Sequence, residues 1–233
     1  MTVGTLYGVG VGPGDPDLMT LRAHRLIANA DVVAYPAPDT GESFARSIAA
    51  RAIRGDTTEI PIVIPMKSER FPAQSVYDAA ASQIEDHLSA GRDVVVLCEG
   101  DPFFYGSFMY LFSRLADRFP SEIVPGVSSL GAVTAAARQP LCARSAEVTI
   151  LPATLGEDAL RAGLANTKAA AIMKLGRHFP MARSVVERLG MADRAWFVSH
   201  ASLPNQHVCR LKEAPDKAPY FSMILIPGED PHV

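Results

Sequence analysis

The sequence predicts an α/β protein built from two α/β lobes. Short apolar runs of strand length alternate along the whole chain with segments whose apolar residues recur at helical spacing. The 233 residues, of which 48% are hydrophobic, are enough for two globular units of ~100–150 residues each. Beyond residue 140 the predicted strands become more widely spaced. We therefore predict an N-terminal lobe over residues 1–120 and a C-terminal lobe over residues 121–233.

The individual elements follow from these patterns in chain order. In the first lobe, strands are predicted at 4–9, 31–36, 60–64 and 93–98, and helices at 17–29, 42–54, 74–90 and 107–118. A strand at 121–124 and an Ala-rich helix ending near residue 138 open the second lobe. They precede strands at 146–151, 169–173, 194–199 and 220–226, and helices at 157–165 and 178–190. The last two strands are predicted to be neighbours, because no long helix separates them.

A turn at residues 98–108, Cys-Glu-Gly-Asp-Pro-Phe-Phe-Tyr-Gly-Ser-Phe, carries the strongest functional signal. It follows an unbroken apolar run at residues 94–97, which is typical of a strand buried on both faces of a parallel sheet. Open α/β sheets bind their ligands at the carboxyl ends of such strands. Gly100 lets the backbone approach a ligand closely, and Asp101 offers a carboxylate to a hydroxyl or an amine. The rest of the chain is predicted to present this turn to a cleft.

Charge and composition argue against several classes of protein. The net charge of -3 gives no basic excess that would indicate nucleic acid as the main partner. The longest apolar runs have strand length, and the N-terminus begins a strand without the pattern of a signal peptide, so we expect no membrane partner. Cys98, Cys142 and Cys209 lie far apart, which fits buried thiols in a reducing cytosol better than disulfides or a metal site. We expect a cytoplasmic protein.

Four glycines at positions 8, 10, 12 and 14 predict a tight turn after the first strand. They do not match the dinucleotide-binding pattern G-x-G-x-x-G, because Pro13 or Asp15 stands where the third glycine is needed. NAD binding is therefore not predicted, and the turn beside Asp15 is expected to line a cleft instead. No P-loop, paired metal-ligand spacing or nucleophile elbow occurs in the sequence.

Two further stretches place polar side chains where a ligand could meet them. At residues 125–129, Pro-Gly-Val-Ser-Ser brings two hydroxyls to the start of a helix. These hydroxyls serve either as an ordinary N-cap or as contacts to a small ligand. Among the histidines, His178 and His200 are the best placed for a site, because one follows and the other ends a predicted strand.

Taken in order, four stretches resemble the tetrapyrrole methylase family. They are Gly-x-Gly-Pro-Gly-Asp at 10–15, Glu-Gly-Asp-Pro-Phe-Phe-Tyr-Gly at 99–106, Pro-Gly-Val-Ser-Ser at 125–129 and Ile-Met-Lys at 172–174. The resemblance spans nearly the whole chain and implies two α/β lobes with the active-site cleft between them, in a protein that is usually a homodimer. It implies that the N-terminal lobe forms the tetrapyrrole side of the cleft and that the C-terminal lobe contributes to binding of S-adenosyl-L-methionine (SAM).

The resemblance implies that SAM binds in a folded conformation and leaves as S-adenosyl-L-homocysteine, with no metal involved. Carried over by position, the SAM contacts are Pro13, Glu99, Gly100, Asp101, Phe104, Ser128, Ser129, Met173 and Ala201. Ala201 lies in a Ser-His-Ala stretch that departs from the more usual Glu-Asn-Gly of the family. The polarizable side chain of Met173 suits a contact to the thioether or the adenine.

Within the family, three features resemble the branch that methylates carbon C20 of precorrin-2. They are Glu99 ahead of Gly-Asp-Pro and followed by Tyr-Gly-Ser-Phe-Met-Tyr at 105–110, Met-Lys-Leu-Gly-Arg at 173–177 and Pro-Tyr-Phe-Ser at 219–222. The siroheme-pathway methylase has a second glycine at the position of Glu99, which argues against that subfamily. The resemblance thus implies formation of precorrin-3A on the route to cobalamin.

Because that substrate carries many carboxylates, cationic side chains are expected around it. The predicted substrate-binding residues are Arg22, Tyr35, Lys174, Arg177 and His178. Asp15 and Tyr105 are the predicted catalytic residues for the proton that C20 loses, and Tyr35 or a water could serve instead.

Three alternatives remain open at this point. The nearest is methylation of the cobalt-containing substrate, cobalt-factor II, at the same carbon on the oxygen-independent route. A second is a methylase of the same superfamily that acts on ribosomal RNA, against which the lack of a basic tract with interleaved aromatics counts. A third is a SAM or tetrapyrrole carrier without turnover.

Overall fold

The computed structural model describes residues 2–65 and 72–228. The chain divides into two compact units, Met1–Ser128 and Ser129–Val233. The boundary predicted at residues 120 and 121 is therefore corrected to residues 128 and 129. The reason is that the strand at 121–124 hydrogen-bonds to the first strand of the chain and so belongs to the first unit.

The first unit holds a five-stranded sheet in which every neighbouring pair of strands is parallel. Its strands are β1 (Leu6–Gly10), β2 (Val32–Pro38), β3 (Thr58–Ile64), β4 (Val94–Cys98) and β5 (Ser121–Val124), in the spatial order β3-β2-β4-β1-β5. The strand β4 lies at the centre and is buried throughout, as its apolar run predicts. Because the strands are parallel, their carboxyl ends meet at one edge of the sheet.

Helices cover both faces of this first sheet. The helices α3 (Pro72–Ser89) and α4 (Phe108–Leu115) pack on one face, where Phe108 and Ile84 are fully buried. The helices α1 (Leu21–Asn29) and α2 (Phe44–Ala49) pack on the other face, against the second set of strand side chains. Burial on both faces explains why β4 is uniformly apolar and does not alternate.

The second unit holds a mixed five-stranded sheet. Its strands are β6 (Val148–Pro152), β7 (Ala169–Met173), β8 (Trp196–Ser199), β9 (His207–Arg210) and β10 (Ser222–Ile226), in the spatial order β6-β7-β10-β8-β9. The pair β6–β7 is parallel, whereas β10 is antiparallel to both β7 and β8, and β9 is antiparallel to β8. The predicted pairing of the strands at 194–199 and 220–226 is confirmed.

Helices also cover both faces of the second sheet. The helix α5 (Ser129–Ala137) packs on the face that carries Val198, Met223 and Leu225. The helices α6 (Glu157–Leu164) and α7 (Phe179–Arg188) pack on the face that carries Phe197 and Ile224. The α/β class and the two α/β lobes predicted from the sequence are therefore confirmed, and each lobe holds one sheet.

Two details differ from the predicted elements. The helix predicted at 17–29 is broken: a short 3₁₀ turn at Pro16–Leu18 precedes α1, and the side chain of Thr20 caps α1 by accepting a hydrogen bond from Ala23 N at 3.1 Å. The strand β9 was not predicted, because its four residues alternate too briefly to stand out from a loop.

The cysteines and the helices bear on the predicted protein class. Cys98, Cys142 and Cys209 are all free, but only Cys98 is buried, so the expectation of three buried thiols is corrected for the exposed Cys142 and the half-buried Cys209. None of the helices in residues 2–65 and 72–228 combines the length and the apolar character that a membrane crossing requires. In the same part of the chain, no cluster of three or more His, Cys, Asp or Glu side chains is arranged to hold a metal ion.

Candidate active site

Three turns meet at the carboxyl edge of the first sheet, and they carry most of the predicted site residues. The turns follow β1 (residues 11–15), β4 (residues 99–106) and β5 (residues 125–128). The first two are joined by an antiparallel bridge in which Gly100 N donates to Gly12 O at 2.8 Å and Gly12 N approaches Gly100 O at 3.4 Å. The sequence motifs at these positions are therefore brought together in space.

The backbones of these turns pack closely because glycines stand at the points of contact. A Cβ atom on Gly126 would lie 1.9 Å from Gly100 O and 2.8 Å from Gly10 Cα. A Cβ atom on Gly10 would lie 2.5 Å from Gly100 O. Gly100 itself has φ of +64°, a left-handed conformation that glycine adopts without strain. The glycines therefore allow the backbones of the three turns to touch. They also leave space for a ligand to approach.

Asp101 ties the turn after β4 to the turn after β5. Its Oδ1 accepts hydrogen bonds from the backbone N–H groups of Phe103 at 2.9 Å and Phe104 at 3.1 Å, and its Oδ2 accepts one from Gly126 at 3.1 Å. A carboxylate has about four acceptor positions, so the protein itself uses most of them. The main role of the Asp101 carboxylate in the structure is therefore to hold the turn after β4 against the turn after β5.

The same turn holds three aromatic side chains at the surface. Phe103, Phe104 and Tyr105 are between 36% and 45% exposed. Tyr105 has φ of +58°, and Gly106 is required after it because a Cβ atom there would lie 2.4 Å from Pro102 O. Phe103 also packs against Phe112, with ring centroids 5.2 Å apart. The tightly folded turn therefore carries exposed aromatic rings.

Pro13 and Asp15 lie in the turn after β1. Both are partly buried, and an Asp15 carboxylate oxygen accepts a hydrogen bond from Asp17 N at 2.9 Å, which caps the 3₁₀ turn. Pro13 is preceded by Gly12, whose φ of +87° lets the chain turn toward Gly100. The structure thus places Pro13 and Asp15 at the same edge as Asp101 and Tyr105.

Glu99 is the partly buried carboxyl group at the end of β4. Burial raises the pKa of its carboxyl group, and hydrogen bonds from the backbone of Glu99 and of Ala45 partly offset that rise. Ala45 lies in the first turn of α2, so Glu99 links α2 to the central strand. The sequence pattern did not predict this link.

Tyr35 belongs to a polar cluster that the sequence pattern also did not predict. Arg46 Nε and Nη2 donate to the two carboxylate oxygens of Glu59 at 2.6 and 2.8 Å. Burial raises the pKa of Tyr35, and a hydrogen bond with Glu59 raises it further. The ion pair with Arg46 in turn lowers the pKa of Glu59. The three residues come from β2, α2 and β3, and no short sequence spacing announces such a cluster.

Arg22 and the two serines complete the first set of predicted residues. Arg22, on α1, forms an ion pair with Glu122 of β5, and Glu122 lies level with Tyr7, below the carboxyl edge of the sheet. Ser128 is the last residue of the first unit, and Ser129 is the first residue of α5; both are partly buried. The guanidinium of Arg22 is thus engaged within the first unit.

The second unit gathers its predicted residues at the edge where β7 and β8 end. Met173 ends β7, and Ala201 lies two residues beyond β8; both pack on the face covered by α5. Lys174 follows Met173 directly, and Arg177 and His178 form the short turn that leads into α7 on the opposite face. Arg177 Nε lies 3.4 Å from His178 Nε2. The structure therefore groups these five residues at one edge but divides them between its two faces.

Comparisons with known proteins agree with these features. The family model described as Tetrapyrrole (Corrin/Porphyrin) Methylases matches residues 5–215. A precorrin-2 C(20)-methyltransferase from Sinorhizobium sp is 40% identical over 235 residues, which cover 97% of this chain and 96% of that protein. A cobalt-precorrin-2 C(20)-methyltransferase from Salmonella typhimurium is 31% identical and covers 96% of each chain.

Solved structures show the same fold. A uroporphyrin-III C-methyltransferase from Thermus thermophilus, in its native form, superposes with a TM-score of 0.72 at 26% identity and covers 97% of this chain and 98% of that chain. The cobalt precorrin-4 methyltransferase CbiF superposes with a TM-score of 0.73 at 23% identity and covers 96% of this chain and 94% of that chain. The chain belongs to the tetrapyrrole (corrin/porphyrin) methylase family.

Proposed function

We propose that this protein is a SAM-dependent C-methyltransferase that methylates C20 of precorrin-2 to give precorrin-3A in cobalamin biosynthesis. The observation that carries this proposal is the 40% identity to the Sinorhizobium precorrin-2 C(20)-methyltransferase over almost the full length of both chains. A cobalamin biosynthesis protein, CobIJ from Mycobacterium tuberculosis, is 41% identical over 97% of this chain, which spans 46% of that longer protein.

The second candidate is the same methyl transfer to the cobalt-containing substrate. It is favoured by the relative from Salmonella typhimurium, named for cobalt-precorrin-2, which is 31% identical over 96% of each chain. We rank it second because the identity to the Sinorhizobium enzyme is higher at equal coverage. Both candidates share the reacting carbon and the methyl donor, so only the substrate distinguishes them.

We propose SAM as the methyl donor. A Thermus thermophilus uroporphyrin-III C-methyltransferase with a TM-score of 0.69 and 26% identity was solved in complex with S-adenosyl homocysteine. The residues of the first unit suit such a ligand, because the turn after β4 presents an exposed aromatic ring at Phe104 and keeps about one acceptor position on Asp101. Glu99 and Gly100 belong to the same turn, and Pro13 lies in the turn after β1 that is bridged to it.

The remaining SAM contacts that we propose are Ser128, Ser129, Met173 and Ala201. Ser128 and Ser129 provide hydroxyls at the start of α5, and Met173 and Ala201 provide small or polarizable apolar surface at the ends of β7 and β8. Each of these four residues is partly buried, so each has side-chain surface left for a ligand.

The protein's own part in the reaction is positioning and proton handling. When bound, SAM supplies an electrophilic sulfonium methyl group, which C20 of the substrate takes up as it releases a proton. The turn after β4 holds the reactants in line and excludes water, which are the main contributions open to the protein in such a transfer. We propose Asp15 and Tyr105 for the proton rather than Tyr35, because both lie in turns at the carboxyl edge of the first sheet, whereas Tyr35 is buried within β2.

We propose that Lys174, Arg177 and His178 bind the carboxylates of the tetrapyrrole, with Tyr35 and Arg22 as further substrate contacts. Lys174 and His178 are partly buried and Arg177 is exposed at the edge of the second sheet. Arg22 would have to leave Glu122 to reach a ligand, so we expect it to contribute least. We also propose that the protein is cytoplasmic and has no nucleic-acid partner. We propose a homodimer as well, which light scattering of the purified protein would test.

The experiment that tests the function is mass spectrometry after anaerobic incubation with methyl-labelled SAM. Parallel tubes contain precorrin-2, cobalt-factor II and no acceptor. We expect one labelled methyl group on precorrin-2. Labelling of the cobalt form alone would select the second candidate, and labelling of neither, with SAM binding still detected by calorimetry, would exclude C20 methylation.

A further inference from the structure

One edge of the second sheet concentrates residues with an unusual backbone conformation. In the described part of the chain, the non-glycine residues with positive φ are Tyr105, Arg138, Arg144, Lys174, His200 and Ser202. Lys174 directly follows the end of β7, and His200 and Ser202 lie one and three residues beyond the end of β8. Their φ values are +57°, +50° and +71°. Half of these strained positions therefore lie at a single edge.

The pairing of the strands fixes where Lys174 and His200 stand. The strand β10 lies between β7 and β8, with Ile224 opposite Ile172 on one side and Ser222 opposite Ser199 on the other. Continuing both registers places Lys174 and His200 on either side of the start of β10. Two strand spacings separate their backbones, a distance of about 10 Å.

The conformation of His200 is held on both sides. His200 N donates to Phe221 O at 2.8 Å, and His200 O accepts from Leu203 N at 3.0 Å. Neither hydrogen bond involves the imidazole, and glycine would make both with less strain. The fold therefore does not need a histidine here, which indicates that the side chain itself is used.

At Arg138, the positive φ has an ordinary cause, the end of a helix. Arg138 also has positive φ, at +52°, but it follows the end of α5, and its N–H donates to Ala135 O at 3.1 Å. A left-handed residue is common at the end of a helix. Lys174 and His200 follow strands, so helix termination does not account for them.

The charge of the second unit favours an anionic ligand. Residues 129–233 contain 12 Lys and Arg against 9 Asp and Glu, whereas residues 1–128 contain 10 against 16. The formal charges are therefore +3 for the second unit and -6 for the first. Two of the twelve cationic side chains, Lys174 and Arg177, and the imidazoles of His178 and His200 lie at the edge where β7 and β8 end.

We propose that this edge is a carboxylate-binding subsite, in which the Lys174 ammonium and the His200 imidazole hold carboxylates of the bound reactants from either side of β10. The proposal rests on the proposed function, since it assigns His200 a part in the same reaction. The carboxylates come either from the side chains of the tetrapyrrole or from the methionyl group of SAM. Both sources share the chemistry of a charge-assisted hydrogen bond.

The test replaces each side chain by the residue that suits the backbone. His200→Gly and Lys174→Gly are compared with Arg138→Gly, which removes a cation at the same conformation next to the opposite edge, where Gly228 N donates to Leu141 O. Three quantities are measured for each variant: Tm, the Kd for SAM by calorimetry, and the Kd for uroporphyrin III, a stable polycarboxylate porphyrin, by fluorescence titration.

We expect His200→Gly and Lys174→Gly to keep the wild-type Tm or to raise it by up to about 3 °C, because strain is relieved. We expect one of the two Kd values to rise about tenfold or more in both variants. A rise for uroporphyrin III alone identifies the tetrapyrrole as the source, and a rise for SAM alone identifies the methionyl carboxylate. Arg138→Gly is expected to leave both Kd values unchanged.

Two outcomes would overturn the proposal. Unchanged Kd values for both probes in His200→Gly would show that the imidazole binds no carboxylate. A fall in Tm of His200→Gly well below that of Arg138→Gly would show that the side chain is structural. Turnover of precorrin-2 by the wild-type protein is measured alongside. If the protein binds both probes but does not methylate precorrin-2, the proposed function is refuted and the carboxylate subsite is not.

Discussion

The two units form sharp turns at the ends of their strands in different ways. In the first unit, glycines occupy the left-handed positions nearest the ends of β1 and β4, with φ of +87° at Gly12 and +64° at Gly100, and Tyr105 follows further along the turn after β4 with φ of +58°. In the second unit, Lys174 and His200 take up the corresponding conformations after β7 and β8. Glycine removes the side chain so that backbones can touch, whereas a retained side chain at the same φ keeps a chemical group in place at the cost of strain.

The difference has a consequence for how mutations act in each unit. In the first unit, the turns pack closely because glycines stand at their contacts. The carboxylate of Asp101 also holds two of the turns by accepting hydrogen bonds from three backbone N–H groups. In the second unit, the two hydrogen bonds that hold the backbone of His200 do not involve its side chain. We therefore expect substitutions of the contacting glycines and of Asp101 in the first unit to damage stability, and substitutions of Lys174 and His200 in the second unit to damage ligand binding.

The largest effect is expected from Gly126→Ala. A Cβ atom there would meet Gly100 O at 1.9 Å and Gly10 Cα at 2.8 Å, and none of these backbone atoms can move without shifting a turn. We expect a loss of more than about 3 kcal/mol in the free energy of unfolding. Urea titration measures it.

The matched control for Gly126→Ala is Gly131→Ala, within α5 of the second unit. A Cβ atom on Gly131 meets nothing within 4 Å, so this variant should gain roughly 0.5–1 kcal/mol from helix propensity. Equal stability changes at the two glycines would contradict the distinction between the units.

The next effect is expected from Asp101→Ala, which removes the acceptor of three backbone N–H groups. The N–H of Gly126 is partly buried and would be left without a partner, so we expect a loss of about 2–3 kcal/mol. Thermal and urea unfolding measure the loss. Asp117→Ala, at an exposed position on the same unit, is the control and should change stability by less than about 0.5 kcal/mol.

Two smaller effects on stability, at Glu59 and Glu99 of the first unit, should depend on pH. The ion pair with Arg46 lowers the folded-state pKa of Glu59, so its contribution is present above the ordinary Glu pKa and is lost as the pH falls through the lowered value. Glu59→Gln should therefore lose about 1 kcal/mol or less at pH 7, since Arg46 is still 42% exposed, and nothing at a pH well below about 4.

Glu99 should behave in the opposite way. Burial raises its folded-state pKa, so the ionised carboxylate destabilises the fold, and full stability is present below the ordinary Glu pKa and is lost as the pH rises through the raised value. Glu99→Gln should gain up to about 1 kcal/mol at pH 7 and show no gain in acid. Urea unfolding of both variants across this pH range checks the signs, and changes of equal sign at pH 7 would refute the assignment.

The smallest effect is expected at β9. The guanidinium of Arg210 lies 4.0 Å from the ring centroid of Trp196 on the neighbouring strand β8. Arg210→Gln should lose about 0.5–1 kcal/mol through the cation–π contact. Chemical unfolding measures the difference, with the exposed Lys168→Gln as a control in the same unit; a loss no greater than in the control would mean that the contact stabilises nothing.

The sequence predicted the sheets well because their signals are local. The apolar run of β4 and the alternation of strands with amphipathic helices require no knowledge of distant residues. The Tyr35, Arg46 and Glu59 cluster and the link from Glu99 to Ala45 were not predictable, since their members come from separate elements that only the fold brings together. The strand β9 escaped because it has only four residues.

The candidate site was predictable in part for the same reason. Glycine, proline and aspartate at the end of β4 indicate a tight turn at the edge of the sheet, and the structure has such a turn there. The sequence did not reveal that Asp101 uses its carboxylate mainly within the protein, because a hydrogen-bond partner 25 residues away leaves no mark on local spacing. The roles of the individual site residues stay predictions until they are measured.

The contact of Gly10, Gly100 and Gly126 also bears on how this fold can change over evolution. Because the backbones at these three positions touch directly, a shift of one turn displaces the other two. Substitutions at Gly10 and Gly126 should therefore be strongly non-additive, with the second change costing much less than the first once the contact is lost. If the proposed carboxylate subsite is correct, we expect substitutions of Lys174 and His200 to be tolerated more readily than substitutions of these three glycines.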